Sequence, residues 1–319
     1  MFKYFWAFII PFLMVIVLMP ALMRFAEKIQ FIDKPTERKK HKNPVPLIGG
    51  VAMFIGFFTG FLYNVAIGRI ELETIIIFIA SLMVLIIGLV DDFYKTRKKE
   101  FPIYPRFIVQ ILAAILVYKS GVVFMGFTNP FGGNFIMIPE ILQFILTITW
   151  IFGVTTVINW SDGMDGLAGG LSAISATTMF VVAMAKEQSS SAVMSICLVG
   201  AILGFLNFNR HPARVFMGDS GANFLGFILS IIALDGAFKQ ATVMSMLIPI
   251  FALGVPIFDN IFVIFKRFID GKPVYQADRS QIHFRLEERG MTPKQVVTYI
   301  CLISGGLSLI SIIILVLKL

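Results

Sequence analysis

The sequence predicts an all-α polytopic membrane protein with about ten transmembrane helices and a cluster of acidic residues on its cytoplasmic face. Of its 319 residues, 57% are hydrophobic and 14% are charged, whereas soluble domains are about 45–50% apolar and about 25% charged. Apolar runs long enough to cross a bilayer recur along the whole chain. Five aspartates lie at the ends of these runs, and threading the runs through a membrane puts them all on the same side: Asp91, Asp92, Asp162, Asp165 and Asp219.

The apolar runs define the predicted spans in chain order. A transmembrane helix needs about 20 apolar residues, so we expect spans at 4–23, 47–67, 74–90, 104–119, 140–158, 166–185, 192–208, 220–237, 242–264 and 296–317. The first run is too long for a typical signal-peptide core, and we expect it to be an uncleaved span, with both termini outside. Segment 120–139 has alternating apolar residues around Asn-Pro and Gly-Gly steps, which predicts a hairpin at the outer surface. No repeat of fixed period is visible, so the chain is interpreted as one domain, 1–319.

The basic residues support this threading. Most of the 27 lysines and arginines fall in the predicted inside loops, as the positive-inside rule requires. The net charge of +8 is therefore attributed to orientation and to anionic lipid, and no nucleic-acid partner is expected. Cys197 and Cys301 lie within apolar runs without a CxxC pair, and both are interpreted as buried hydrophobes.

The acids at the membrane boundary predict a bound cation. An ionised aspartate at the centre of a membrane helix costs roughly 2.5–3.5 kcal/mol on insertion scales, so converging acids need a positive partner. Asp91 and Asp92 end the third span, where the helix dipole favours cations, and Lys95 one turn later is a partial partner. The pair could instead share a proton, so that one carboxylate serves as a general base. An ordinary charged helix end is the alternative.

Two further loops carry the remaining acids. Segment 159–168 contains two Asp-Gly steps before the sixth span, and the helix N-terminus that follows is a natural phosphate site. Asp162 is favoured over Asp165, because Asp165 could be only an N-cap for that helix. Asp219, with glycine on both sides of its Gly-Asp-Ser-Gly segment, suits Mg²⁺ held by one carboxylate with waters and substrate phosphates. Phe216 is either a lipid-packing residue or a stacking platform for a base.

The first and last inside loops are basic. The run at 38–42, which includes His41, is accounted for by membrane orientation alone. Gly49 and Gly50, at the start of the second span, could allow close helix packing or a close approach of the backbone to a phosphate. His283 stands beside two arginines in a loop that faces the acids, which favours phosphate binding there.

Taken in order, the loops resemble the motifs of the polyprenyl-phosphate N-acetylhexosamine-1-phosphate transferases. The motifs are RKxH…PxxGG, DDxxK, NxxDGxDGLA, FMGDSG and DRSxxHxRL, and together they extend over nearly the whole chain. The resemblance implies a multi-pass enzyme of the bacterial plasma membrane with a cytoplasmic catalytic face. Such an enzyme joins a sugar 1-phosphate from a UDP-sugar to undecaprenyl phosphate and releases UMP, with Mg²⁺ as cofactor and Mn²⁺ as the alternative metal. This is the first membrane step of a cell-wall or surface polysaccharide pathway, and a homodimer is a candidate assembly.

The branch that uses UDP-GlcNAc is the most similar one, because the first loop and the DRS-type last loop match it. Another UDP-N-acetylhexosamine or UDP-MurNAc-pentapeptide is the alternative donor. Thr156 stands where the family usually has Asn, and Gln281 and Phe284 replace histidines, which bears on the choice of sugar. A membrane transporter is the alternative outside enzymes, although transporters place ionisable residues near the midplane on broken helices.

The resemblance also implies residue roles. The predicted catalytic residues are Asp91, Asp92, Asp162 and His283, and the predicted metal ligands are Asn159 and Asp219. The expected nucleotide- or sugar-binding residues are Lys42, Asn209, Phe216 and Arg285. The expected phosphate-binding residues are Lys95 and Arg106, and the motifs add His41 and Asp165 to the candidate site.

Overall fold

A computed structural model describes residues 2–34, 44–66, 71–129, 133–236, 246–273 and 279–317. The described part of the chain is mostly helical. Its helices, in order, are α1 (Phe2–Lys28), α2 (Gly49–Ala66), α3 (Leu72–Thr96), α4 (Ile103–Lys119), α5 (Glu140–Trp160), α6 (Leu167–Ala185), α7 (Ser189–Asn209), α8 (Gly218–Gly236), α9 (Leu247–Ala252), α10 (Gly254–Ile269), α11 (Ile282–Glu288) and α12 (Pro293–Val316). Two short strand pairs complete the fold: β1 (Ile32–Asp33) with β2 (Val45–Pro46), and β3 (Gly126–Thr128) with β4 (Phe135–Met137).

Helix α8 is the centre of the bundle. Every residue from Ser220 to Leu234 is buried, and α8 packs against α2, α3, α5, α6 and α7. A helix that is apolar on all sides is stable only when other helices surround it. The packing therefore places the first turn of α8, which carries Asp219, inside the protein.

Six described helices are long and apolar enough to cross a membrane. They are Phe2–Lys28, Leu72–Thr96, Glu140–Trp160, Leu167–Ala185, Ser189–Asn209 and Pro293–Val316, and they correspond to six of the expected spans. Three more expected spans are helical as α2, α4 and α8, and Gly49–Asn64 is a shorter apolar helix. The all-α membrane architecture is confirmed, while ten crossings and the orientation of the termini stay predictions.

The ninth expected span, at 242–264, is not one continuous helix. Within its described part, α9 and α10 are separate helices that meet at Leu253. Pro256 has no backbone N–H, so it cannot donate to the carbonyl of Ala252 four residues earlier. The Ser175 hydroxyl of α6 donates to that carbonyl at 2.6 Å instead. A side chain from a neighbouring helix thus satisfies the group that the proline leaves without its helical donor.

The hairpin predicted for segment 120–139 is confirmed by the pairing of its two strands, while its position at the outer surface stays a prediction. Strands β3 and β4 are antiparallel, with Gly126 opposite Met137 and Thr128 opposite Phe135. The pair formed by β1 and β2 was not expected from the sequence, and it places Asp33 opposite Val45. The basic run with Lys42 and His41 falls between these two strands and lies outside the described residues.

Glycines bring α2 and α3 into backbone contact with the start of α8. A Cβ added at Gly88 would overlap the Cα of Ser220, and one added at Gly50 would overlap the backbone nitrogen of Gly221. The obstacle in both cases is backbone, which cannot move aside as a flexible side chain can. Small residues of this kind let membrane helices approach closely.

We predict that Gly88→Ala destabilises the protein, because the added methyl group pushes α3 away from α8. Overpacking of a tight contact typically costs about 1–3 kcal/mol, so the melting temperature of the purified protein in detergent should fall. Gly306→Ala in α12 is the control, since a Cβ there meets open space, and it should leave the melting temperature unchanged or raise it. Equal melting temperatures for the Gly88→Ala variant and the wild type would contradict the close contact.

Candidate active site

The side chain of Asp92 holds the N-terminus of α8. Its Oδ1 accepts a hydrogen bond from the backbone N–H of Asp219 at 2.8 Å, and its Oδ2 accepts one from Ser220 at 3.0 Å. Helix N-termini carry unsatisfied N–H groups and a partial positive charge, so a carboxylate fits there. Gly218, with φ +69°, completes the contact, because a Cβ at this position would overlap the Asp92 carboxylate. Asp92 is buried and uses both oxygens inside the protein.

Two cations bridge Asp91 and Asp219. Arg106 Nη1 lies 2.8 Å from Asp91 Oδ2 and 3.2 Å from Asp219 Oδ2. Lys95 Nζ lies 2.6 Å from Asp219 Oδ2 and 3.6 Å from Asp91 Oδ2. The structure thus brings both predicted phosphate-binding cations onto two of the predicted acids. The four side chains are mutually neutralised, and Lys95 keeps much of its surface exposed to solvent.

Asp162 lies beside this charge cluster, in the loop between α5 and α6. Desolvation by the surrounding protein, together with the negative charges of Asp219 and Asp92, raises the pKa of Asp162 to about 8. The residue is nevertheless exposed to solvent. A carboxyl group with this pKa exchanges its proton near neutral pH, which suits acid–base chemistry.

Asp165 and Asn209 tie two loops of the site together. Gly166, with φ +78°, is the N-cap of α6, so the alternative that Asp165 caps this helix is wrong. Asp165 Oδ2 instead lies 2.8 Å from His211 Nδ1 and accepts a hydrogen bond from the backbone N–H of Ala213 at 3.1 Å. The Asn209 amide accepts from the Gly166 N–H at 2.9 Å and donates to the carbonyl of Val215 at 2.8 Å.

The backbone of Phe216 pairs with the PxxGG segment. Its N–H donates to the carbonyl of Pro46 at 2.9 Å, and its carbonyl accepts from the N–H of Gly49 at 3.0 Å. The Gly50 N–H donates to Met217 in the same way at 3.2 Å. These contacts favour close packing over phosphate approach as the reason for the two glycines. The Phe216 side chain is partly buried against the core, and its role as a base platform stays a prediction.

His283 packs onto the Asp162 loop. A Cβ added at Gly163 would overlap the imidazole ring of His283, so glycine at this position makes room for the ring. His283 is buried, and its Nε2 has no hydrogen-bond partner among the described residues. Burial lowers the pKa of His283 to about 4, which leaves the imidazole neutral near pH 7.

One functional candidate was missed by the sequence analysis. Asp259 of α10 accepts hydrogen bonds from the Ile282 N–H at 3.0 and 3.1 Å, and its Oδ1 lies 3.0 Å from Arg285 Nη2. The signal available in the sequence was a single acid within a predicted membrane span. An ionised side chain costs free energy inside a membrane, so such residues are commonly functional. Asp259 was overlooked because it stands apart from the other acids in the sequence.

The predicted metal ligands fit Mg²⁺ by the chemistry of their donor atoms. Mg²⁺ is usually held by one or two carboxylates together with waters and substrate phosphates, and Asp219 and Asn159 supply a carboxylate and an amide oxygen. The Asn159 Nδ2 is buried without a hydrogen-bond partner among the described residues; it is an N–H donor and so would face a substrate oxygen, while Oδ1 is the atom that could bind the metal. The described residues contain no group of three His, Cys, Asp or Glu that could hold a metal alone, so substrate oxygens would be needed.

Comparisons with known proteins show the family of this chain. Residues 74–237 match the model of glycosyl transferase family 4, and this range contains Asp91, Asp92, Asp162 and Asp219. The chain is 36% identical over 307 residues to a probable undecaprenyl-phosphate N-acetylglucosaminyl 1-phosphate transferase of Bacillus subtilis, covering 96% of this chain and 84% of the relative.

Two more distant relatives carry similar names. A decaprenyl-phosphate N-acetylglucosaminephosphotransferase of Mycobacterium tuberculosis is 29% identical, covering 88% of this chain and 74% of the relative. An undecaprenyl-phosphate alpha-N-acetylglucosaminyl 1-phosphate transferase of Escherichia coli is 25% identical, covering 91% and 78%. The chain therefore belongs to glycosyl transferase family 4.

Proposed function

We propose that this protein transfers GlcNAc-1-phosphate from UDP-GlcNAc to undecaprenyl phosphate and releases UMP, as the first membrane step of a cell-wall or surface polysaccharide. The observation that carries the proposal is the cluster in which Lys95 and Arg106 are shared by Asp91 and Asp219 at the end of a membrane helix. The names of the relatives supply the acceptor and the transferred N-acetylglucosaminyl 1-phosphate group, and the UDP carrier follows from the resemblance of the motifs. In this proposal the cluster lies at the cytoplasmic face of the bacterial plasma membrane, and the distribution of basic residues between the predicted loops supports that location.

The location suits two substrates of opposite solubility. A polyprenyl phosphate can reach the helix ends laterally through the bilayer, while a nucleotide sugar arrives from water. The two anionic reactants repel each other, so the reaction needs charge neutralisation and in-line placement more than it needs covalent catalysis. Lys95 and Arg106 supply fixed positive charge at this point.

In the proposed reaction, an oxygen of the lipid phosphate attacks the β-phosphorus of the UDP-sugar directly. A new P–O bond forms to the sugar-bearing phosphorus, the bond to the bridging oxygen breaks, and UMP leaves with that oxygen. Asp219 and Asn159 would hold Mg²⁺, which supplies charge neutralisation of the diphosphate. Lys95 and Arg106 would exchange part of their contact with the acids for contact with phosphate oxygens.

The acids have different parts in this proposal. Asp92 uses both oxygens to hold the α8 amides, so it positions Asp219. Asp91 is paired with Arg106. Asp162 has no side-chain hydrogen bond or ion pair within the described ranges, and its raised pKa makes it the better candidate for holding a proton near the lipid phosphate.

We choose GlcNAc because of the names of the relatives. Thr156, Gln281 and Phe284, the three residues that depart from the family pattern, carry less weight in this choice. The Thr156 hydroxyl donates to the carbonyl of Phe152 in its own helix at 2.8 Å. Phe284 packs against His283, with ring centroids 4.2 Å apart. Another UDP-N-acetylhexosamine or UDP-MurNAc-pentapeptide stays the alternative donor, and the homodimer and the single domain 1–319 stay predictions.

The transporter alternative is less favoured. Transporters bring ionisable groups and ions to broken helices near the midplane. At the break between α9 and α10, the contact is a serine hydroxyl bound to a backbone carbonyl, and the charged cluster lies elsewhere, at the ends of α3 and α8.

The direct test is UMP release by the purified protein. We expect release from UDP-GlcNAc when undecaprenyl phosphate and Mg²⁺ are both present, and loss of release when either is omitted. UDP-GalNAc and UDP-MurNAc-pentapeptide, assayed in parallel, identify the donor. Absence of UMP release with every donor would contradict the transferase.

We predict that Asp219→Ala lowers the rate of UMP release by about a thousandfold, the upper range for losing one preorganised electrostatic contact. Asp235→Asn is the matched control, because Asp235 lies at the opposite end of α8, where it contacts Ser191. Both variants should keep a melting temperature close to that of the wild type. Near-normal turnover of the Asp219→Ala variant would disprove its place in the site.

We predict that His283 affects the size of the activity but not the shape of its pH dependence. Its pKa of about 4 lies below the pH range of the assay, so the imidazole stays neutral. Titration of His283 therefore causes no rise or fall of the rate between about pH 6 and 8. His283→Gln should lower kcat/KM by about a hundredfold with the same pH profile, and His211→Gln serves as the control. A wild-type limb near pH 6.5 that disappears in the His283→Gln variant would contradict a neutral histidine.

A further inference from the structure

We propose that Asp259 is a positioning residue that holds helix α11, and with it His283 and Arg285, against the active-site loop. The inference rests on the proposed function, because it deepens the role of the donor site. Among the described residues, Asp259 contacts the Ile282 N–H and Arg285 and no member of the acidic cluster, so it acts through α11.

The first support is the cap of α11. Gln281 is the N-cap of this seven-residue helix, but its side chain makes no capping hydrogen bond. Both carboxylate oxygens of Asp259 lie near the Ile282 N–H, at 3.0 and 3.1 Å. A short helix is marginal on its own, so a cap supplied by α10 fixes where α11 starts.

The second support is the cradle around Arg285. Its Nη2 lies 3.0 Å from Asp259 Oδ1, and its guanidinium carbon lies 4.3 Å from the centre of the Phe262 ring. Asp259 and Phe262 are three residues apart and share one face of α10. The guanidinium is thereby held on one edge and one face, while its Nε has no hydrogen-bond partner among the described residues.

The third support is the position of His283, which links helix α11 to the loop that carries Asp162. His283 follows the capped residue directly, and its ring rests on Gly163, next to Asp162. The Nε2 of His283 is buried and has no partner in the described part of the chain. Two unpartnered donor or acceptor atoms, one on His283 and one on Arg285, are thus carried by a seven-residue helix that Asp259 holds in place.

The position of Asp259 follows from the helix break. Helix α10 starts anew at Gly254, after the interruption at Leu253, and is a helix separate from α9. Asp259 lies in the second turn of α10, where its side chain is largely buried. A carboxylate buried in this way needs partners, and the α11 N–H and Arg285 supply them.

The test is the steady-state kinetics of Asp259→Asn. An amide loses one acceptor oxygen and the negative charge, so α11 and Arg285 should loosen. We expect KM for UDP-GlcNAc to rise about tenfold, with KM for undecaprenyl phosphate unchanged, since Arg285 is expected at the nucleotide-sugar. Asp259→Glu, which keeps the charge, should recover part of the loss. Asp270→Asn, at the exposed end of the same helix, is the control and should behave as the wild type.

A double variant separates positioning from general destabilisation. If Asp259 acts through Arg285, the combined Asp259→Asn and Arg285→Ala variant should have a KM close to that of Arg285→Ala alone. Independent effects that multiply would overturn the inference. So would an unchanged KM in Asp259→Asn, or an equal rise in KM for both substrates accompanied by a lower melting temperature.

Hydrogen exchange supplies a readout that does not depend on activity. The amides of α11 should exchange faster in Asp259→Asn than in the wild type, while those of α12 keep their rates. If the wild type released no UMP with any donor, the proposed function would fail, and this exchange experiment would still decide whether Asp259 holds α11. Unchanged exchange in α11 would overturn the positioning role.

Discussion

The two hydrogen bonds from the first amides of α8 to the Asp92 carboxylate are the constraint on which the site depends. Helix α8 is buried along its length, so water cannot easily satisfy its N-terminal N–H groups, and leaving them unpaired would be costly. A carboxylate from α3 satisfies two of them at once. This contact requires α3 to meet α8 at backbone distance, which Gly88 and Gly218 permit. The same contact places Asp219 beside Asp91.

The charge balance around Asp219 follows from that placement. A buried carboxylate without a partner is strongly unfavourable, and two adjacent ones are worse. Lys95, one turn after Asp91, and Arg106, from the next helix, each contact both Asp91 and Asp219. The resulting cluster is neutral as a unit, yet it contains two cations that can be shared with phosphate oxygens. A site of this kind can be stable before its substrates bind and still receive two anions.

The part of the chain after α8 supplies a second group of helices to the site. Helices α10 and α11 lie beyond the range that matches the family model, but they bring His283 onto the loop of Asp162. Their arrangement depends on the break at Leu253 and on the contacts of Asp259. The first group of helices, packed around α8, is held by close backbone contacts between helices. The second is held by an apolar cluster in which Ile282 and Leu286 of α11 pack against residues of α6 and α12, together with the contacts of Asp259 and the histidine that packs onto a glycine.

The sequence by itself determined the helical membrane class, the hairpin within 120–139 and the presence of several acids at the ends of apolar runs. These properties are local, because hydropathy, turn residues and charge are set by neighbours along the chain. The tertiary structure alone decided that Asp92 holds α8, that Asn209 and Asp165 tie loops together, and that Asp259 belongs near the site. It also decided that the ninth apolar run is two helices. Each of these depends on which backbone N–H or carbonyl meets a side chain far away in sequence, and such a pairing is settled only when the helices pack.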